Sequence, residues 1–171
     1  MSLSMHSAST PVFLKMLGNL GHWLDAAEAH AAAKKFDPSV LLNARLAPDM
    51  LPFKTQICIA CDAAKNGVAR LAGIEPPKFE DGETSFEQLQ ARIRKTLDFL
   101  ATVQASQLNG REEVEVTFPA GPGKTRTMNC YAYLTTWMLP NLFFHITTAY
   151  NILRHNGVEV GKVDYLAGAS A

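Results

Sequence analysis

The sequence predicts an all-α protein, a four-helix bundle with one small β-hairpin inserted between the third and fourth helices. Apolar residues recur at helical spacing in four long segments, whereas a short segment before the last of them alternates apolar and polar residues. Four amphipathic helices bury their apolar stripes by packing against one another. The 171 residues, 47% of them hydrophobic, are expected to form a single domain over residues 1–171.

The first two helices are bounded by recognisable start and stop signals. The first is expected from Pro11, after a capping Thr10, to just before Phe36. The second is expected to open at Pro48 and to close at Gly73, because glycine follows the last apolar residue and two prolines lie just beyond.

The third helix is expected from about Ser85 to about Gln104, with Thr84 and Glu87 at the spacing of a capping box. After it, the alternation in residues 113–118 and the turn segment PAGPGK predict a short, solvent-facing β-hairpin.

The fourth helix is expected to begin near Asn129 or Cys130 and to end at Asn156, before the capping Gly157. Pro140 lies inside it. Because proline removes a backbone donor and its ring clashes with the preceding turn, we expect a kink or a new helix start there.

Composition argues against several function classes. No run of about 18 apolar residues is present, so no membrane span is expected. The first residues lack a basic segment followed by an apolar one, which favours a cytoplasmic protein, and three cysteines agree with a reducing compartment. Basic and acidic residues number 16 each, so nucleic acid is not an expected partner.

The most informative segment is PNLFFHITTAYNILRHNGVEVG, because it places polar groups on the inward side of an apolar helix. Helical spacing aligns Asn141, His145, Thr148 and Ile152 along one face. Burying an unpaired amide or imidazole costs about 1–3 kcal/mol. These groups therefore satisfy one another in the core or face a ligand, a metal or water.

Other motifs favour structural interpretations. Cys58 and Cys61 have redox or zinc spacing, but they lie well inside a helix rather than at a helix N-terminus that would lower a thiol pKa. The segment GPGK lacks the frame of a phosphate-binding loop and is expected to be a turn. Arg45 with Asp49, and Lys54 or Lys65 with Asp62, are expected to be surface ion pairs that contribute little.

Three segments of the chain resemble the bacterial family known as domain of unknown function 1993, within the DinB-like (DinB/YfiT-like) superfamily. They are RLAPDMLPFKTQ, CDAAKNGVARLAG and PNLFFHITTAYNILRHNGVEVGKVDYLAG. The resemblance implies an up-down-down-up four-helix bundle with a long connection between helices two and three, and it implies a homodimer. Better-known relatives bind a divalent metal through one histidine of helix two and a His-x-x-x-His of helix four, and some are thiol transferases.

The implied metal triad is incomplete in this chain. Leu153, Arg154 and Gly157 set the register of the helix-four motif, which places His145 on its second histidine and Asn141 on its first. Helix two has no histidine, and its nearest polar residues are Asp49 and Gln56. The resemblance thus leaves one imidazole, one amide and one further polar group as metal-ligand candidates.

Three interpretations of this polar face remain open: a satisfied core cluster, a small-molecule pocket lined also by Phe143, Phe144 or Trp137, and a metal site. The favoured function is a bundle protein with a polar pocket between helices two and four that binds a small molecule without a complete metal triad and without an expected cofactor. The alternative is a divalent-metal-dependent enzyme of the transferase or hydrolase kind, using zinc or nickel. His145 would then be ligand or general base, assisted by Tyr150 or Asp49.

Overall fold

Four long helices form the framework of the protein in the computed structural model, which describes residues 3–168. In chain order the elements are α1 (Thr10–Lys34), α2 (Ser39–Asn43), α3 (Phe53–Ala72), α4 (Phe86–Thr102), α5 (Ala105–Leu108), β1 (Glu115–Pro119), β2 (Thr125–Asn129), α6 (Cys130–Tyr133), a π-helical turn (Leu134–Met138), α7 (Leu139–His155) and α8 (Lys162–Leu166). The long helices α1, α3 and α4, and α6 to α7 taken together, correspond to the four helices that the sequence predicts.

Helices α3 and α4 are neighbours that run in the same direction. Phe53 and Phe86, at their two starts, pack with ring centroids 6.3 Å apart, and Asp62 pairs with Arg92 farther along both helices. Because parallel neighbours cannot be joined by a tight turn, residues 73–85 must cross back over the length of the pair. We call this segment the crossover.

The remaining contacts complete the up-down-down-up order implied by the resemblance. Helix α7 runs antiparallel to α3, since His145 meets Gln56 near one end and Tyr133 of α6 meets Arg70 near the other. It runs parallel to α1, because Trp23 packs on Tyr150 at a centroid distance of 5.6 Å and, farther along both helices, His30 lies beside the residues that follow α7.

The crossover is held down by two buried cations. Arg92 Nη1 lies 2.8 Å from Glu83 Oε1 and 3.0 Å from Asp81 Oδ1, and Arg92 Nη2 lies 3.0 Å from Asp62 Oδ2. Lys65 Nζ donates to the carbonyl of Pro77 at 2.8 Å. The sequence-based expectation of a surface pair between Lys65 and Asp62 is wrong in its setting, because Lys65 is only 4% exposed.

The ring of Phe79 packs against both cations, Arg92 and Lys65, which together with Asp62, Asp81 and Glu83 form an ion cluster that we call the crossover clamp. Phe79 lies 4.4 Å from Lys65 Nζ and 5.5 Å from the guanidinium carbon of Arg92, measured to the ring centroid. Cations over an aromatic face are attracted by its quadrupole, more strongly when water is excluded. Burial alone would lower the pKa of Arg92, but the hydrogen bond to Glu83 and the charge of Asp62 raise it above its usual value.

Helix α3 begins at Phe53, five residues later than the sequence predicts. Residues 47–50 form a turn closed by Met50 N donating to the carbonyl of Ala47, and Pro52 has the extended angles φ −70° and ψ 162°. A proline disfavours helical angles in the residue before it, so a helix opened at Pro48 cannot run through Pro52. Asp49 consequently lies outside the helix, in an exposed turn.

The N-terminus of α4 is capped by Ser85 and Gln88 instead of Thr84 and Glu87. Ser85 Oγ accepts from the backbone N–H of Gln88 at 3.2 Å, and Gln88 Oε1 accepts from the backbone N–H of Thr84 at 2.7 Å. The predicted capping box is therefore displaced by one residue, while the helix itself lies where the sequence places it.

The two strands form an antiparallel hairpin in which Phe118 pairs with Arg126. The hairpin is confirmed, but it does not face solvent on both sides. Val116 and Phe118 are buried, and the Phe118 ring lies 4.5 Å from that of Tyr133 and 5.0 Å from that of Trp137. Its alternating pattern is the one typical of a half-buried strand.

The helix break expected at Pro140 appears as a π-helical turn followed by the restart of α7 at Leu139. Asn129 caps the start of α6, its Oδ1 accepting from the N–H of Ala132 at 2.8 Å. A wider turn accommodates the missing donor and the bulk of the proline ring.

Among the described residues, no helix is both long and apolar enough to span a membrane.

Arg92→Met should destabilise the fold by about 3 kcal/mol, the lower end of the cost of breaking a buried ion pair, because it removes the buried cation that Asp62 and Glu83 share while Asp62 keeps Lys65. Arg94→Met, two residues away on the exposed side of α4, is the matched control and should change stability by less than about 0.5 kcal/mol. Urea unfolding of both variants measures the difference. Equal losses would show that the clamp contributes nothing.

Candidate functional site

His145 of α7 contacts Gln56 of α3 across the interface between the two helices. The distance from His145 Nδ1 to Gln56 Oε1 is 2.7 Å. The orientation of the amide follows from its second bond, since Gln56 Nε2 donates to the carbonyl of Leu51 at 3.0 Å. Oε1 can only accept, so Nδ1 of the imidazole carries the proton and Nε2 keeps the lone pair.

The surroundings of His145 favour a neutral ring. The residue is 9% exposed, and burial lowers the pKa of the imidazole below its usual value. Phe144 covers one edge with its ring at 90° to the imidazole. Thr148, the next polar residue on this face, donates its hydroxyl to the carbonyl of Phe144 at 2.7 Å and is thereby satisfied within its own helix.

The other candidates from the sequence do not gather around His145. Asn141 forms no side-chain hydrogen bond to His145 within residues 3–168, and instead lines a cavity one turn away. Asp49 is exposed in the turn before α3. Tyr150 faces α1, where its ring packs against Trp23 and its hydroxyl donates to the carbonyl of Val160 at 3.4 Å.

These residues do not fit the metal triad implied by the fold family. Ions such as zinc and nickel are held by imidazole, thiolate and carboxylate ligands in bundle cores. His145 brings one imidazole, and its nearest polar partner is a neutral amide already bonded to the backbone. Within residues 3–168, no group of three or more His, Cys, Asp or Glu side chains is placed to hold an ion.

A cavity of about 230 Å³ lies between α3 and the segment from α6 to α7. Two polar rows face each other across it. One runs along α3 and the other along the opposite wall, each with a spacing of four residues: Asp62, Asn66 and Arg70 on α3, and Asn141, Trp137 and Tyr133 on the opposite wall. Phe118 and Pro119 of β1 close the end beside Tyr133.

The π-helical turn keeps the second row in line. In an α-helix a spacing of four residues exceeds one turn and drifts around the axis. A π turn takes more residues per turn, so the step from Tyr133 to Trp137 across it offsets that drift. At the same place Gly67 lets α3 approach the π-helical turn, since a Cβ atom at this position would clash with the Met138 side chain.

Arg70 and Tyr133 form the polar end of the cavity. Arg70 Nη1 donates to Tyr133 Oη at 3.0 Å, which leaves the phenolic proton of Tyr133 free to donate in turn. Burial raises the pKa of Tyr133, although the charge of Arg70 acts in the opposite direction. Arg70 forms no ion pair with a carboxylate among the described residues.

The opposite end of the cavity belongs to Asp62, whose carboxylate links it to the crossover clamp. Asp62 Oδ2 is bound by Arg92, and Oδ1 is buried without a hydrogen bond, 3.4 Å from Lys65 Nζ. Two cations face three carboxylates in this cluster, so it has no surplus positive charge. Asp62 and Ile59 also line a second cavity of about 360 Å³ below the crossover.

The two cysteines of α3 are poorly suited to nucleophilic chemistry. Burial raises the pKa of both Cys58 and Cys61 to about 12. The Cys58 thiol also donates to Glu83 Oε2 at 3.5 Å, and a thiolate rather than a thiol is the reactive form. Both side chains therefore serve packing and the attachment of the crossover.

Sequence reasoning missed Arg70, Tyr133 and Arg92, the residues that give this region its charge and hydrogen bonds. One signal was present: Asp62, Asn66 and Arg70 lie at every fourth position of α3, and Lys65 is the one other polar residue between Asp62 and Arg70. The partner row could not be placed in the same way, because the π-helical turn changes the helical register before Trp137.

Acidification should destabilise the fold through His145. Because burial lowers the pKa of this imidazole from 6.5, the unfolded chain takes up a proton at a higher pH than the folded chain. The stabilising contribution is complete above about pH 6.5 and is lost as the pH falls towards the folded-state pKa. Urea unfolding at about pH 7.5 and 5.5 should show a larger loss for the wild type than for His145→Gln, and identical losses would contradict this.

His145→Ala should lower the free energy of unfolding by about 1–3 kcal/mol at neutral pH, since it strands the buried Gln56 Oε1 that His145 Nδ1–H now satisfies. His22→Ala, at an exposed position of α1, is the control and should have little effect. Chemical unfolding of the two variants decides the matter. A loss no greater than that of the control would show that the contact is energetically neutral.

Comparisons with known proteins agree on the family. The family model described as domain of unknown function (DUF1993) matches residues 5–166. The chain is similar to a crystal structure of a DinB family member protein from Shewanella denitrificans, with 43% sequence identity and a TM-score of 0.89, over 97% of this chain and 93% of that chain. No curated protein matches the sequence. The recognition made from the three sequence segments is confirmed: this chain belongs to the DUF1993 family and has the fold of a DinB family member.

Proposed function

We propose that this protein binds a small molecule in the cavity between α3 and the segment from α6 to α7. The observation that supports this most directly is the pair formed by Arg70 and Tyr133, in which a cation without a carboxylate partner among the described residues and a free phenolic donor line a concave site. A cavity with an apolar wall and a few convergent polar groups is the usual form of a ligand site.

The composition of the walls defines the kind of ligand. Trp137 and Phe118 provide flat apolar surface, while Asn66, Asn141 and Asp62 provide hydrogen-bonding groups along the floor. At about 230 Å³ the cavity is below the usual range for drug-sized ligands, which starts at about 300 Å³. We therefore infer a compact ligand with polar ends.

Binding without a metal is favoured over metal-dependent catalysis. The donor set around His145 is one imidazole and an engaged amide, which is a poor match to the ligands that transition metals prefer. Tyr150 faces α1 and cannot assist His145 from there. Within the cavity itself, no nucleophile lies beside a general base among the lining residues.

Trp137 offers a direct test of the proposal, since the chain has only two tryptophans and the other, Trp23, is buried against Tyr165 and Tyr150. In a Trp23→Phe background, a panel of small carboxylates, amines and neutral metabolites should include compounds that change the Trp137 fluorescence saturably. Arg70→Gln should weaken the binding of anionic hits about tenfold or more, and Arg94→Gln should not. A panel without any saturable response would refute the proposed function.

A further inference from the structure

The charges at the two ends of the cavity differ in sign, and this difference narrows the ligand class beyond the proposed function on which it rests. We propose that the cavity takes an elongated zwitterion, an ω-amino carboxylate, with its carboxylate at Arg70 and its ammonium at Asp62. Both anchoring residues stand on the same face of α3, eight positions apart and separated by Asn66.

The carboxylate end is built by two donors. Arg70 donates one Nη1 proton to Tyr133 and has further N–H groups, and the Tyr133 hydroxyl keeps its own proton. Arg70 has no carboxylate partner within residues 3–168. A ligand carboxylate would supply the missing counter-charge.

The ammonium end is built by acceptors. Asp62 lines the cavity, whereas its two cationic partners, Arg92 and Lys65, do not. The Asp62 side chain is 33% exposed and belongs to a cluster of three carboxylates and two cations, and the Asn141 side chain on the facing wall adds an amide oxygen. A partly exposed carboxylate in a cluster with one excess negative charge attracts an ammonium group and repels a second carboxylate.

The helix sets the length of the ligand. Eight residues of α-helix rise about 12 Å, and a hydrogen bond of about 3 Å at each end leaves about 6 Å for the ligand between its charged groups. That span corresponds to a chain of about four or five methylene groups. Trp137 lies at the middle of the facing row, where its ring covers such a chain and excludes water.

The test is a titration series on the Trp23→Phe protein with Trp137 as reporter. The probes are 4-aminobutanoate, 5-aminopentanoate, 6-aminohexanoate and 7-aminoheptanoate, with hexanoate, hexylamine and 6-hydroxyhexanamide as matched single-charge and neutral compounds. We expect 5-aminopentanoate or 6-aminohexanoate to bind at least tenfold more tightly than hexanoate or hexylamine. The two outer chain lengths should bind more weakly than the best inner one.

A charge reversal adds a second readout. In Arg70→Glu the carboxylate end becomes an acceptor end, so the preference should move from 6-aminohexanoate to 1,6-diaminohexane, again by at least tenfold. Arg94→Glu is the control and should keep the original preference. Circular dichroism of both variants verifies that they are folded, and if Arg70→Glu is not, the wild-type series alone decides.

The possible results distinguish the ω-amino carboxylate proposal from the more general proposal that the cavity binds a small molecule. Hexanoate or hexylamine binding as tightly as the zwitterions would overturn the ligand class and leave the cavity as a binding site. The same holds if other compounds of the broad panel bind while no ω-amino carboxylate does. If neither the panel nor the series changes the Trp137 signal saturably, both proposals fall.

Discussion

The ion cluster around Arg92 is the constraint on which the rest of the bundle depends. Two helices adjacent in the chain, α3 and α4, run parallel, so the segment between them has to lie across the helices it connects. A side chain with five donors in a fixed plane can join its own helix to two other segments at once, as Arg92 of α4 does to α3 through Asp62 and to the crossover through Asp81 and Glu83. Burial would raise the pKa of Glu83, but its bonds to Arg92 and to the Gly82 amide lower it below the usual value. Glu83 therefore stays ionised beside Arg92, which also holds in place the Asp62 carboxylate at one end of the cavity.

The sequence predicts most of the architecture, and each exception has an identifiable cause. The four long helices, the hairpin and the break near Pro140 follow from apolar spacing and from proline and glycine positions. The start of α3 does not, because Pro48 and Pro52 are both plausible first residues and only the second leads into the helix. Arg92 stands in the run RIRK, which resembles a solvated helix face. Its carboxylate partners lie nine to thirty positions away, and no local pattern joins them.

Two polar residues of α7, His145 and Asn141, face different surroundings. His145 turns to Gln56 and completes a hydrogen-bond chain that ends on the carbonyl of Leu51, so the position that the family resemblance assigns to a metal ligand is used here to join α7 to the start of α3. Asn141, one turn earlier, faces the cavity. The sequence placed both residues on one face correctly, yet their partners depend on where α3 begins and on the register change at the π-helical turn.

The antiparallel pairing of α3 with α7 also has a consequence for how the chain reaches its native state. The bond between Gln56 and His145 joins residues 89 positions apart, and no earlier segment offers α3 the same apolar partner. During synthesis, the side of α3 that faces α7 stays uncovered until α7 has also left the ribosome. Helical bundles with local pairings fold fast because short loops close cheaply, whereas distant pairings raise the contact order and slow the search. This topology therefore predicts a bundle in which the interface between α3 and α7 forms late.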